Sequence, residues 1–77
     1  MKKQGKVIFI LDKYLEEHKE MSKNKIVNGA NVQRTQLQNY YKNKVSRVDL
    51  GVLARICDFL DCKLSDILIY EEQYSEN

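Results

Sequence analysis

The hydrophobic and polar positions along the chain fall into short segments with tight connections. Lys6-Val7-Ile8-Phe9-Ile10 is β-branched and aromatic, the composition of a short strand. Ile8, Leu11 and Leu15 then fall at i, i+3 and i+7, which predicts a helix to about His18. Ser22 is a good N-cap for a second helix from Lys23 to Ala30, with Ile26 and Ala30 on one face. Asn31 breaks that helix, because Asn tolerates the left-handed backbone of a sharp turn. A third helix is predicted from about Gln33 to Lys42. Asp49 caps a fourth, which carries Leu50, Leu53, Ile56, Cys57 and Leu60. A final helical turn holds Leu64, Ile67 and Leu68. Ile69-Tyr70 is a candidate short strand to pair with Val7–Ile10, and residues 71–77 read as a frayed tail. With no proline, repeat, low-complexity stretch or linker, residues 1–77 read as a single, mostly helical domain.

The third helix carries the most informative pattern. At about 100° per residue, with Gln33 at the origin, Leu37 and Tyr40 fall within about 40° of it, with Gln36 nearby, and form an inner face. Arg34, Thr35, Gln38, Asn39 and Lys42 spread over the opposite side as an unbroken polar face. A solvated helix face ordinarily mixes Glu with Lys, and this one has no acid. Its residue types match base edges: Arg suits guanine, Asn and Gln suit adenine, and Thr suits a thymine methyl or a phosphate. A short helix, a sharp turn at Asn31 and a second short helix form a helix-turn-helix from 22 to 42. Lys23 and Lys25 lie in the first turn of the leading helix. Lys42, Lys44 and Arg47 lie at and beyond the end of the second, so basic groups flank the reading face on both sides.

The net charge of +2 hides an asymmetry. Residues 1–47 hold eleven Lys/Arg against four Asp/Glu, whereas residues 48–77 hold two against seven. A basic first half and an acidic last third suit a protein that turns one side to a polyanion. Hydrophobic residues at 43% and charged residues at 31% describe a soluble globular chain. Val7–Leu11 is too short to span a bilayer and does not make a secretory signal. The expectation is a reduced, cytoplasmic protein that does not engage a membrane.

Other chemistry is poorly supplied. Cys57 and Cys62, with no second cysteine pair and one histidine in the chain, do not give a zinc spacing. They read as small apolar side chains on the fourth helix and its exit. His18 reads as an exposed cation near a helix C-terminus. Tyr40 reads as core. Tyr41 borders the polar face, where edge packing and a hydroxyl contact to phosphate are both open. Ser22 caps a helix and has no base beside it. No paired carboxylates, phosphate loop or metal cluster stands out, so no enzyme, cofactor, metal or small-molecule substrate is expected.

Three stretches together resemble the Cro/Xre, or lambda-repressor-like, helix-turn-helix family. They are Met21-Ser22-Lys23-Asn24-Lys25-Ile26, then Asn31-Val32-Gln33-Arg34-Thr35-Gln36-Leu37, then Leu53 to Leu68. Ile56 to Cys62 followed by Asp66-Ile67-Leu68-Ile69-Tyr70 is similar to the small stand-alone bacterial members. The resemblance implies an all-α fold, a compact five-helix bundle, with room for a short pairing of the N- and C-terminal segments. It implies base contacts from Arg34, Thr35 and Asn39, with Gln33 and Gln38 near base edges or phosphates. Lys23 falls on a phosphate-contacting slot, and Lys44 faces the backbone from the following loop. The chain departs from the family's pattern at Val27, where Ala is usual, and at Glu20, Asn31 and Asn43, where Gly is usual.

The resulting expectation is a sequence-specific DNA-binding transcriptional regulator of double-stranded DNA. Arg34, Thr35, Gln38 and Asn39 are its candidate base readers, and Lys23, Gln33, Lys42, Lys44 and Arg47 its phosphate anchors. A homodimer is expected, with Leu64, Ile67, Ile69 and Tyr70 as candidate interface. The alternative is a protein-interaction module, either an antitoxin or a bundle that has lost DNA binding. The basic first half favours DNA.

Overall fold

The computed structural model describes residues 2–74. The first segment is extended: β1 (Lys2–Phe9) pairs antiparallel with β2 (Leu68–Tyr74), and the two form the only sheet among the described residues. Val7 lies opposite Tyr70, Ile8 opposite Ile69 and Phe9 opposite Leu68, with an irregularity between Lys3 and Lys6. Gly5 falls in that irregular stretch under the Tyr70 ring. A Cβ there would collide with the ring and with the Glu71 carbonyl, so the close approach needs glycine.

Four α-helices follow β1: α1 (Leu11–Glu17), α2 (Lys23–Gly29), α3 (Arg34–Tyr41) and α4 (Leu50–Leu60). Their starts follow from capping chemistry. The Ser22 hydroxyl accepts the Lys25 N–H at 3.2 Å, and the Asp49 carboxylate accepts those of Gly51 and Val52 at 2.9 and 3.2 Å. Three helices end alike. Asn31, Asn43 and Asp61 follow α2, α3 and α4 with φ of 54°, 59° and 53°. In each case the next residue's N–H reaches back to the helix: Val32 to Val27, Lys44 to Asn39, and Cys62 to Cys57. That is the Schellman closure, built here on Asn and Asp rather than glycine.

The core gathers Phe9 and Leu11 from the first segments, Ile26, Ala30 and Val32 around α2, and Leu37 and Tyr40 from α3. Val52, Leu53, Ile56 and Leu60 of α4 and Ile67 complete it. Phe9 stacks on Tyr40 at 4.7 Å between ring centroids, which ties the ribbon to α3. Gly29 at the end of α2 lies under the Phe59 ring of α4. Every buried side-chain nitrogen and oxygen among the described residues has a hydrogen-bond partner.

The all-α five-helix bundle is not what forms: four α-helices stand beside a two-stranded sheet. Ile8 sits in β1 opposite Ile69 and not on the helical face with Leu11 and Leu15, because α1 starts only at Leu11. The expected fifth helix is a single 3₁₀ turn, Leu64–Asp66, in which the Asp66 carboxylate accepts the Lys63 N–H at 2.9 Å. The chain then turns extended at the apolar run from Ile67 to Tyr70, and cross-strand bonds satisfy its backbone where a helix would have used local ones. β2 continues through Tyr74, into the stretch read as a tail; residues 75–77 lie outside the described residues. The principal extents are 47 × 25 × 18 Å. The radius of gyration, 13.7 Å, exceeds the roughly 11.5 Å of a compact chain this size.

Candidate nucleic-acid interface

The helix-turn-helix consists of α2, the turn at Ala30–Gln33 and α3. Arg55 of α4 braces the turn: its Nε donates to the Ala30 carbonyl at 3.1 Å and its guanidinium reaches the Asn31 carbonyl. The angle between α2 and α3 is therefore set by the left-handed Asn31, by the contact of Gly29 with Phe59 and by Arg55. Only the first of these is visible in the sequence.

α3 is one residue shorter at each end than expected. Gln33 is its N-cap and Lys42 its C-cap. Leu37 and Tyr40 are buried as the periodicity required, 1% exposed each. The Tyr40 hydroxyl accepts the Asp49 N–H at 3.2 Å and a Gln36 side-chain N–H at 3.2 Å, which couples α3 to the cap of α4. On the outer side Gln33, Arg34, Thr35, Lys42, Lys44 and Arg47 are exposed, and Gln38 and Asn39 are half-buried.

Arg34, Thr35, Gln38 and Asn39 line a cleft of about 520 Å³ between α2 and α3, together with Lys23 and Asn24. Two of these side chains are tethered to α2. A terminal N–H of Arg34 donates to the Asn24 side-chain carbonyl. The Lys23 ammonium donates to the Gln38 side-chain carbonyl at 3.1 Å and lies 4.2 Å over the Tyr41 ring. Tyr41 is thus an edge-packed platform for Lys23. Lys23 lines the cleft alongside Arg34, Thr35, Gln38 and Asn39. Lys44 and Arg47 stand apart from the cleft, on the loop after α3. Asn24 was not singled out from the sequence, since a lone Asn in a first turn carries no signal by itself.

Electrostatics points the same way. From Met21 to Val48 the chain contains no Asp or Glu, and Lys23, Lys25, Arg34, Lys42, Lys44 and Arg47 all fall inside that stretch. This acid-free window coincides with the helix-turn-helix and its following loop, and it was a sharper signal than the half-chain charge totals.

Asn43 holds the loop after α3 to the ribbon. Its side chain accepts the Phe9 N–H at 2.6 Å and donates to the Phe9 carbonyl at 2.8 Å, as a neighbouring strand would. The other sequence candidates lie elsewhere. His18 is half-buried, not exposed. Its ring stacks on Tyr14 at 3.9 Å, and Nδ1 bonds the Tyr14 carbonyl at 2.8 Å. Cys57 and Cys62 are free thiols. Ile67, offered as interface, is a core residue at 1% exposure.

A helix-turn-helix with an acid-free, polar outer helix defines a class of DNA-binding protein. The chain matches the Cro/C1-type HTH DNA-binding domain over residues 11–73, and it belongs to that family, whose members are DNA-binding and non-enzymatic and serve transcription regulation. No curated protein and no solved structure matches it. Among the described residues no helix is long and apolar enough to cross a membrane, and no group of three His, Cys, Asp or Glu is placed to hold a metal.

Proposed function

We propose that the protein is a sequence-specific transcriptional regulator of the cytoplasm that lays the helix from Gln33 to Lys42 in the major groove. The observation that carries this reading is the cleft, in which Arg34 and Gln38 are held by Asn24 and Lys23 on an outer face without any acid. Arg34 reads a guanine edge. Gln38 and Asn39 read adenine, and Thr35 contacts a thymine methyl. Lys23, Gln33, Lys42, Lys44 and Arg47 hold phosphates on either side of the groove. An α3 of 8 residues spans too few base pairs for useful selectivity, so the protein works as a homodimer on two half-sites about one helical turn apart.

The experiment is a salt titration of affinity for a duplex. With four phosphates neutralised by Lys23, Lys42, Lys44 and Arg47, rising to six where Lys25 and Arg34 also meet the backbone, log affinity should fall against log salt with a slope of about −3.5 to −5.5 for one subunit, steeper for a dimer. A slope near zero would overturn the reading. Light scattering on the protein with DNA tests the second half: a monomer under all conditions rejects the dimer.

A further inference from the structure

We propose that Cys57 and Cys62 form a reversible dithiol–disulfide couple that locks the C-terminal cap of α4. The proposal does not depend on how the protein reads DNA. It starts from the backbone. Asp61 is left-handed at φ 53°, the Asp61 N–H donates to the Asp58 carbonyl at 3.3 Å, and the Cys62 N–H donates to the Cys57 carbonyl at 3.1 Å. These two bonds complete the Schellman closure, and that closure characteristically sets the side chains of its first and last residues against each other. At the end of α2 the same two positions are Val27 and Val32. At the end of α4 they are two cysteines, so the thiols are brought together by the way the helix ends. The two side chains lie within hydrogen-bonding reach of each other, and a disulfide asks for Cα atoms ~4.4–6.8 Å apart.

Both thiols are free and half-buried. Cys62 also lines an open cleft of about 380 Å³, between α1 and the α4 cap, where Lys13, Tyr14, Glu17, His18, Asp61 and Asp66 surround it. A small disulfide can therefore reach one sulfur of the pair from solvent. Burial, then the neighbouring Cys57, then Asp66 and Asp61 push the Cys62 thiol up to about 11. Cys62 is therefore the poorer attacking thiolate at neutral pH.

The co-reactant is a low-molecular-weight disulfide such as oxidised glutathione. One cysteine thiolate attacks a sulfur of that disulfide, forms a mixed disulfide and releases one small thiolate. The second cysteine then attacks the protein sulfur of the mixed disulfide and releases the other. The protein loses two protons and two electrons, and the small disulfide gains them as two thiols. Excess small thiol reverses both steps.

The test uses the full chain with oxidised glutathione at mildly alkaline pH, read by intact mass, thiol titration and thermal unfolding. The expected product is a single chain lighter by two hydrogens and not linked to a second, with no free thiol and native circular dichroism. It melts higher by roughly 10 °C, because a six-residue loop is closed in the unfolded chain, and dithiothreitol reverses the change. Cys57→Ser and Cys62→Ser should each stop at a single glutathione adduct with no rise in melting temperature. Wild-type protein that keeps both thiols, stops at mixed disulfides, links between chains, or closes the disulfide only with loss of structure or with no rise in melting temperature overturns the proposal.

Discussion

Asn43 does two jobs at once, and replacing it separates them. Its backbone takes φ 59°, and its side chain makes both hydrogen bonds to the Phe9 backbone on the outer edge of β1. Asn43→Gly keeps the left-handed turn and loses the clamp. Two neutral hydrogen bonds contribute about 1 kcal/mol each, more where the abandoned backbone groups are shielded from water, so the loss should be about 2–3 kcal/mol. Asn43→Ala loses the clamp and adds the cost of a β-carbon in the left-handed region, about 1 kcal/mol, for a total near 3–4 kcal/mol. Urea denaturation followed by circular dichroism reads both, with an unchanged m-value showing that only stability moved. In a chain this short each kcal/mol lowers the melting temperature by about 4–8 °C. Slowed-exchange protection at the Phe9 amide should disappear in both variants. If Asn43→Gly is as stable as the wild type, glycine alone suffices at this position and the clamp contributes nothing.

Tyr40→Phe leaves the stack on Phe9 intact and strips the acceptor from the Asp49 N–H, so it should cost about 1 kcal/mol in the same denaturation assay. Leu37→Ala, at a core site, should cost about 2–5 kcal/mol and serves as the structural control for losses of DNA affinity. Stability should fall in alkali. Cys62 is raised from 9.0 to about 11, and Tyr14 is also raised above its ordinary value, first by burial and then by Cys62. The unfolded chain thus releases its protons first, and stability is lost as pH climbs from about 9 through about 11. Urea midpoints across that range should drop, and less steeply in Cys62→Ser; an equal drop in that variant would remove Cys62 as a cause.

The helix-turn-helix was legible because its signals are local: the Ser22 and Asp49 caps, the Asn31 break, and an inner face at Leu37 and Tyr40. The two-stranded ribbon was half legible. Val7–Ile10 has strand composition, and Ile69-Tyr70 was a candidate partner, yet the periodicity through Ile8 also fitted a helix. A short apolar run does not choose between the two by itself; the partner strand does, and it lies some sixty residues away in the chain. The cleft was legible in its membership and not in its wiring. Arg34 and Gln38 stood out by type, whereas Asn24 became meaningful only once α2 and α3 were in contact. Asn43 looked like a substitute for glycine, and only its distance to Phe9 explains why Asn serves there.

Major-groove readout by α3 is tested most directly with one variant on two sequences. A preferred site is first selected from a random pool of duplexes, and the affinities of wild type and Arg34→Ala are then measured on that site and on a scrambled duplex at one fixed salt concentration. Arg34→Ala should lose about 1–3 kcal/mol on the selected site and little on the scrambled one, with relaxed preference at a single base pair. Equal loss on both sequences would make Arg34 a phosphate anchor and contradict its role as a reader.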